Sequence, residues 1–332
     1  MTIPFSKIYL NYNFNGENLL IKLAYEHHCD EVNFLIREGS NIKDAIYGYA
    51  WGGHFKEVEH LYKENPELIP FAIAGYCRGG FSDKIMLLIS SYKDMEEEIK
   101  KNAVYGYAQA GNKRQVLMAL KSSPKYILMA ILGAASTNQK EWLTDLLTGS
   151  KYYSQAIQEA AKNGHFSLYK DLINSLGIQI HPSFTVNQMK VDCLKYMNIA
   201  LKGCINGGHL EEAAHLINLG ANPAYAVTEL ITEGTITQED ATLLLAHINS
   251  DEIRKKVLSI ILNTDRQLNS ELLDEQEILQ LNFKIFNGNN YFESIIADEI
   301  VNTLNPYAAL TVQTLKQIIV RDQQDHLSQK MK

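Results

Sequence analysis

The strongest constraint on the fold is one helix-turn-helix pattern that recurs along most of the chain. DAIYGYAWGGH at 44–54 and NAVYGYAQAGN at 102–112 are two copies, and QEAAKNGH at 158–165 and KGCINGGH at 202–209 are shorter versions. The copies follow one another roughly every 27 residues, which indicates a stack of repeats. The turn residues are His27, Gly53, Gly80, Gly111, Asn138, Gly164, Gly208 and Gly234.

Apolar side chains recur at fixed distances from each turn. Aliphatic residues stand seven positions before it, at Leu20, Ile46, Ile73, Val104, Ile131, Ile157, Leu201 and Val227. Small residues such as Ala24, Ala50 and Ala108 mostly stand three positions before it, and further apolar residues stand five, eight and nine positions after it. This spacing predicts two antiparallel helices in each unit, each with one apolar stripe. A single pair cannot bury its stripe alone, so we expect an all-α fold, an α-solenoid of at least six stacked units without a sizeable sheet.

Part of this pattern resembles a known repeat family. GCINGGHLEEAAHLINLGANP at 203–223 resembles an ankyrin repeat, and EAAKNGHFSLYKDLI at 159–173 resembles the same half of one. The resemblance extends over roughly residues 17–245, but the Thr-Pro-Leu-His signature is absent and most units are shorter than the ~33 residues of the family. It implies an ankyrin-like stack with shortened β-hairpin fingers. A plain helical-hairpin solenoid of the tetratricopeptide kind is the alternative.

The repeats divide the chain into two parts. We expect residues 1–249 to form the repeat solenoid, with residues 1–16 preceding the first unit and an insertion at about 175–198 that holds a loop and an extra helix. The eighth copy fits the pattern poorly in its second helix, so we expect distortion there. Residues 250–332 read as helical and form either a C-terminal cap or a small helical domain.

Composition excludes several classes of partner. A formal net charge of -7 without a stripe of Lys and Arg argues against nucleic-acid binding. The longest apolar run, at 126–135, is too short to span a bilayer, so no membrane insertion is expected. The N-terminus has no secretory pattern, and the four cysteines lack metal-site spacing. A cytoplasmic location with reduced thiols is therefore predicted.

The sequence contains no recognisable catalytic motif. It lacks a nucleophile elbow, a phosphate loop and a dinucleotide fingerprint, so we expect no cofactor and favour a non-enzymatic role. Histidines follow the turn at His28, His54, His165 and His209, but equivalent positions of separate units do not converge on one ion, so no metal site is predicted. Acidic clusters at 94–98 and 271–277 are read as surface charge. An enzyme with its active site in residues 250–332, and the repeats as a targeting module, is the alternative.

Polar and aromatic side chains on the first helices suggest a binding surface. They stand six or two positions before the turn, rotated away from the apolar stripe, and would line the concave groove of an ankyrin-like stack. The predicted partner-binding residues are Tyr47, Trp51, Arg78, Tyr105, Gln109, Lys162 and Asn206. The alternative is that the tyrosines fill gaps left by the shortened fingers.

The sequence therefore predicts a protein–protein interaction scaffold that holds a protein partner in its groove. Degenerate ankyrin-like repeats, in a chain rich in Asn, Lys, Ile and Tyr, resemble effector proteins that intracellular bacteria deliver into host cells. A regulator or chaperone of another bacterial protein is a variant of the same hypothesis.

Overall fold

The computed structural model describes residues 13–14, 17–176, 191–236, 241, 243–248 and 257. The chain divides into two units, Phe5–Ser270 and a second unit made of Met1–Pro4 with Glu271–Lys332. All described residues belong to the first unit. The predicted C-terminal cap at 250–332 therefore lies, except for residue 257, outside the described residues, as does most of the segment that precedes the first repeat.

The described part of the chain is almost wholly helical, which confirms the all-α prediction. Each unit has a first helix with an odd number and a second helix with an even number. The helices are α1 Leu19–Tyr25, α2 Cys29–Arg37, α3 Ile42–Gly52, α4 Phe55–Glu64, α5 Ile69–Gly79, α6 Ser82–Ser91, α7 Glu96–Gln109, α8 Lys113–Ser122, α9 Ile127–Ser136, α10 Lys140–Leu147, α11 Tyr153–Lys162, α12 Phe166–Ser175, α13 Val191–Asn206, α14 Leu210–Asn218 and α15 Pro223–Thr232.

The turn residue ends each first helix in the left-handed conformation. Gly53 has a φ of 77°, and its N–H group donates to the Ala50 carbonyl at the end of α3. Glycine adopts this conformation without a steric penalty, which explains its recurrence at the turn. The two other residue types at this position do the same, with φ values of 66° at His27 and 59° at Asn138.

The first helices of successive units pack directly against one another at glycines that stand five positions before the turn. A Cβ atom on Gly75 would lie 2.8 Å from the Ala50 Cβ, and one on Gly133 would lie 2.6 Å from the Tyr105 carbonyl oxygen. Both distances are shorter than real contacts allow. The residue five positions before the turn must therefore lack a side chain wherever the helices are this close. Gly48, Gly75, Gly106, Gly133 and Gly203 share this position.

The core contains the predicted stripes, with one refinement. Every residue seven positions before the turn is buried, and so is every residue five positions after it from Val32 to Ala213. The positions eight and nine residues after the turn are less uniform, because Leu146 is half-buried whereas Leu147 is fully buried. The residue five positions after the turn is therefore the constant core position of the second helices, and the number of further buried residues varies between units.

One local feature differs from the sequence expectation, and another lies in the eighth unit, where distortion was expected. The extra helix predicted inside the insertion is not separate, because Val191–Asn206 forms one continuous helix that includes the first helix of the seventh unit. The loop expected before it lies at 177–190, outside the described residues. In the eighth unit α15 is followed by a short 3-10 turn at Leu244–His247, while 237–240 fall outside the described part.

A short hairpin precedes the first helix. Strands β1 (Asn13–Phe14) and β2 (Glu17–Asn18) pair in antiparallel register, and the Asn18 side chain accepts the Ile21 N–H group to cap α1. The Asn13 N–H group donates to the Gly207 carbonyl at 3.0 Å. This bond links the start of the described chain to its seventh unit and shows that the row of first helices curves until its ends approach.

Candidate functional site

The residue after the turn holds consecutive units together. Nε2 of His54, His165 and His209 lies 2.7, 2.9 and 3.1 Å from the carbonyl oxygens of Tyr25, Ser136 and Lys162, each near the end of the preceding unit's first helix. In the fifth unit Gln139 donates through Nε2 to the Ala108 carbonyl at 2.8 Å. These side chains satisfy carbonyls that a helix end leaves without a partner. The histidines after the turn therefore serve separate units, as predicted.

Arg78 is the centre of a polar network on the inner face, the face formed by the first helices. Its guanidinium stacks on the Trp51 ring at 3.7 Å from the ring centroid. It donates to the Tyr47 hydroxyl at 3.1 Å and to Glu17 Oε1 at 2.9 Å, and its side chain is only 9% exposed. Glu17 belongs to the N-terminal hairpin, so this ion pair anchors the hairpin on the third unit.

The network continues into the next two units. Burial raises the pKa of Tyr47 to about 12, so its hydroxyl is neutral, and it donates to Gln109 Oε1. Gln109 Nε2 in turn donates to the Tyr105 hydroxyl at 3.2 Å and to Ser136 Oγ at 3.0 Å. A chain of satisfied hydrogen bonds therefore links four consecutive units across their inner face.

The structure separates the seven predicted partner-binding residues into two groups. Tyr47 and Gln109 are buried, and Arg78 and Trp51 are occupied by each other and by the hairpin. The expectation that this set is exposed therefore does not hold for Tyr47 or Gln109. Partners within the chain already satisfy the polar groups of these side chains, and their first role is to hold neighbouring units in place.

The remaining three predicted residues line a polar cavity of about 400 Å³ on the inner face. They are Tyr105, Lys162 and Asn206. Residues of the first two units, of the fourth unit and of the last three described units meet around it, because the row of first helices curves. Glu159 contributes to the wall from the position that is glycine in five other units. The remaining described lining residues are Asn13, Asn18, Ile21, Asn41, Asp44, Asn163 and Thr235.

The charges in this inner cavity are only partly compensated. Burial raises the pKa of Asp44, although a hydrogen bond of 2.6 Å from the Asn18 amide and the positive charge of Lys162 act against that shift. Glu159 accepts a hydrogen bond of 3.0 Å from Asn163. Among the described residues, the Lys162 ammonium forms no direct ion pair. The cavity thus offers carboxylates, amides and one ammonium, a set suited to binding a small polar group.

A different surface was not anticipated from the sequence. Met86 and Leu87 on α6 are 67% and 56% exposed, and Leu117 and Met118 on α8 are 56% and 58% exposed. All four occupy the sixth and seventh positions after the turn, in the third and fourth units. Because the two units are consecutive and these positions are equivalent, the four side chains lie on the same side of the stack. We call them the outer patch.

The outer patch does not continue into the neighbouring second and fifth units. The same two positions hold Glu59 and His60 in the second unit and Thr144 and Asp145 in the fifth. In the sequence the patch is visible as apolar pairs outside the repeating stripe, but an apolar pair does not by itself show that its side chains are exposed. Single exposed apolar residues are common, whereas a cluster of large ones is typical of an interaction surface.

Basic residues border the outer patch. Lys84 lies over the Phe55 ring at 4.5 Å, and Lys113 lies over the Trp142 ring at 5.9 Å. Arg114 and Lys121, also on α8, have no ion-pair partner within the part of the chain that the structure describes. On α8 this border is cationic, in contrast to the net charge of -7, whereas the exposed Asp83 stands beside Met86 and Leu87 on α6.

Comparison with protein-family models, curated proteins and solved structures finds no match to this chain. Within the described ranges, no helix is both long and apolar enough to cross a membrane.

Proposed function

We propose that this protein is a protein–protein interaction scaffold and that its partner docks on the outer patch. The observation that carries the proposal is the exposure of Met86, Leu87, Leu117 and Met118 at equivalent positions of consecutive units. Side chains of this size expose apolar area that a partner could remove from water, at roughly 25 cal/mol for each Å². Methionine also adapts its shape to a partner surface.

The border of the patch indicates the chemistry of the partner. Arg114 and Lys121 present positive charge beside the apolar side chains, and neither has an ion-pair partner among the described residues. A complementary surface would carry acidic groups around an apolar centre. We therefore propose a partner segment with apolar side chains flanked by Asp or Glu.

The proposed architecture is an α-solenoid of ankyrin-like repeats with shortened fingers. Its support is the direct packing of successive first helices, the turn residue in the left-handed conformation, and the repeated bond from the residue after the turn. The resemblance to bacterial effectors remains a prediction. So does the alternative of an enzyme centred in residues 250–332, which deletion of that segment would test through loss of activity without loss of binding.

The experiment compares the double variant Leu87→Glu, Met118→Glu with the wild-type protein. The control is Thr144→Glu, which adds a charge at the sixth position after the turn of the fifth unit, outside the patch. A partner captured by the wild-type protein and identified by mass spectrometry would then be titrated by calorimetry. Because truncated hot spots typically cost at least ~2 kcal/mol, we expect the patch variant to raise Kd about 30-fold or more. The control should leave Kd unchanged.

Melting temperatures measured in parallel separate binding from folding. Unchanged affinity of the patch variant, with unchanged melting temperature, would remove the outer patch as the docking surface. Light scattering on the free protein covers one further outcome: a wild-type dimer that the patch variant abolishes would identify a second copy of this chain as the occupant.

The inner cavity is a second candidate surface, and it is favoured by the Lys162 ammonium, which forms no direct ion pair with the described residues. We propose that it admits a polar side chain of a partner or a small polar molecule. Lys162→Met and Asn206→Ala should weaken binding of such a ligand without altering affinity at the outer patch. Lys170→Met on the neighbouring α12 is the control, because Lys170 pairs with Glu212 outside the cavity.

A further inference from the structure

Three side chains with different donor atoms meet between the first and second units. His27 lies in the turn between α1 and α2, Cys29 is the first residue of α2, and Glu57 lies in the first turn of α4. One nitrogen, one sulfur and one oxygen donor from these residues all lie within 4.8 Å of one another. His27 Nε2 is 3.0 Å from Glu57 Oε1.

The backbone at His27 is held in an unusual conformation. Its φ of 66° is positive, at the position where six other units have glycine and one has Asn138. Side chains disfavour this region, and a residue kept in it is a signal worth testing for function. The His27 ring is also fixed in place, because it stacks on the His54 ring at 4.3 Å with an angle of 12° between the planes.

The cluster is accessible as well as ordered. Cys29 is half-buried, whereas the other three cysteines of the chain, Cys77, Cys193 and Cys204, are buried. Glu57 is half-buried and His27 is exposed. An ion could therefore reach all three donors from solvent without unfolding the units.

The donor set matches a particular class of metal. Zinc is bound by Cys sulfur, His nitrogen and carboxylate oxygen at 2.0–2.3 Å, and a tetrahedron with such arms has edges of about 3.3–3.8 Å. The three donors lie within 4.8 Å of one another, so side-chain rotations that shorten the longest distance by about 1 Å would bring them to that spacing. Hard ions such as Ca²⁺ and Mg²⁺ prefer sites made only of oxygen.

We propose that His27, Cys29 and Glu57 bind Zn²⁺ or a similar divalent transition metal, with one coordination position left for water. On binding, the Cys29 thiol releases its proton to solvent and the thiolate becomes a ligand, while neutral His27 and ionised Glu57 exchange their mutual hydrogen bond for metal bonds. The metal would join the turn of the first unit to α4 of the second.

The repeat pattern does not predict this site, because the pattern relates only equivalent positions of separate units. Histidines after the turn belong to separate units, and in the structure His54, His165 and His209 each bond a carbonyl of the preceding unit. The proposed ligands instead occupy three different repeat positions. Only the contact between the first two units brings them together.

The first experiment titrates Co²⁺ into the full-length, metal-free protein under reducing conditions. A Cys29 thiolate bound to Co²⁺ should produce sulfur-to-metal charge-transfer absorption in the near ultraviolet. Added Zn²⁺ should displace the Co²⁺ and remove this absorption. Cys29→Ser should abolish this absorption and weaken Zn²⁺ binding by about 10-fold or more. The same absorption in Cys29→Ser, or its absence from the wild-type protein, would overturn the proposal.

The second experiment uses a variant that should fold at least as well as the wild type. His27→Gly removes a ligand and also relieves the left-handed strain, and Asn138→Gly makes the same backbone change in a unit without the cluster. Zn²⁺ should raise the melting temperature of the wild type and of Asn138→Gly, but not that of His27→Gly. His60→Ala controls for surface histidines on α4. Equal Zn²⁺ shifts in His27→Gly and Asn138→Gly would mean that His27 is not a ligand.

Discussion

At the scale of single residues, the absence of a side chain decides how closely the units approach. Gly106 on α7 shows this most directly, because a Cβ atom there would lie 2.8 Å from the carbonyl carbon of Ala74 on α5. An exposed helical Gly→Ala change ordinarily stabilises a protein by about 0.5–1 kcal/mol. Whether Gly106→Ala raises or lowers the free energy of unfolding therefore shows whether the backbones of α5 and α7 are in contact.

Gly106→Ala should destabilise the protein by about 1–3 kcal/mol, because the added methyl group forces α5 and α7 apart. Urea unfolding followed by circular dichroism measures the loss. A stabilised Gly106→Ala variant would show that the two helices are further apart than described.

Arg78 is the residue on which the inner-face network depends. Arg78→Met keeps the length of the side chain but leaves the Glu17 carboxylate without its ion pair and the Tyr47 hydroxyl without a donor. We expect a loss of about 2–3 kcal/mol, since hydrogen bonds to charged groups contribute roughly 1.5–3 kcal/mol. Glu17→Gln should cost less, because its side chain is 25% exposed and stays hydrated. A loss under ~0.5 kcal/mol for Arg78→Met would exclude a stabilising role for the network.

At the scale of elements, each second helix has one face in the core and another that is free to differ. Leu143 on α10 is fully buried, five positions after its turn, whereas Met118 on α8 is 58% exposed, seven positions after its turn. The free face carries charge in most units and the outer patch in two of them. The core residues and the proposed docking surface therefore lie on different sides of the same helices.

Leu143→Ala should cost about 2–5 kcal/mol of unfolding free energy, because it leaves a cavity in the core. Met118→Ala should cost under ~0.5 kcal/mol, since its side chain is mainly in water. Thermal and urea unfolding of both variants give the comparison. Similar losses from the two changes would contradict the assignment of core and free faces.

At the scale of the whole molecule, buried histidines make stability depend on pH. Burial lowers the pKa of His209 to about 4 and also lowers that of His165, whereas an unfolded histidine titrates near 6.5. Above pH 6.5 the two histidines are uncharged in both the folded and the unfolded protein, so they cause no loss of stability. As the pH falls from 6.5 towards 4, the unfolded state gains protons that the folded state does not, so stability decreases.

The double variant His165→Gln, His209→Gln should resist acid better than the wild type. In the fifth unit Gln139 already donates to the equivalent carbonyl, that of Gln109, at 3.2 Å, so glutamine can keep the contact without titrating. For His209 alone the shift corresponds to a loss of about 3 kcal/mol at pH 4. The raised pKa of Asp44 acts in the opposite direction but is common to both proteins. Parallel unfolding curves at pH 4 and pH 7 that show no difference would reject this assignment.

The sequence alone determined the helical class, the unit boundaries and the innermost residues. Each of these depends on local rules, because a repeat of 3.6 residues per turn and a left-handed turn residue are visible within one unit. The positions seven before and five after the turn were therefore predictable as core. The continuous helix at 191–206 was not, because nothing within that segment marks where one helix could end and the next begin.

Only the tertiary structure decided which surfaces are free. Tyr47 and Arg78 lie on the inner face, where Glu17 of the N-terminal hairpin pairs with Arg78 and Arg78 donates to the Tyr47 hydroxyl. The outer patch and the cluster of His27, Cys29 and Glu57 likewise depend on contacts between units. The repeated sequence specifies the fold of each unit and its packing on the next one. Which side chains are exposed, and which ones from different units come together, depends on the angles between units added up along the stack. No single copy of the repeat contains those angles.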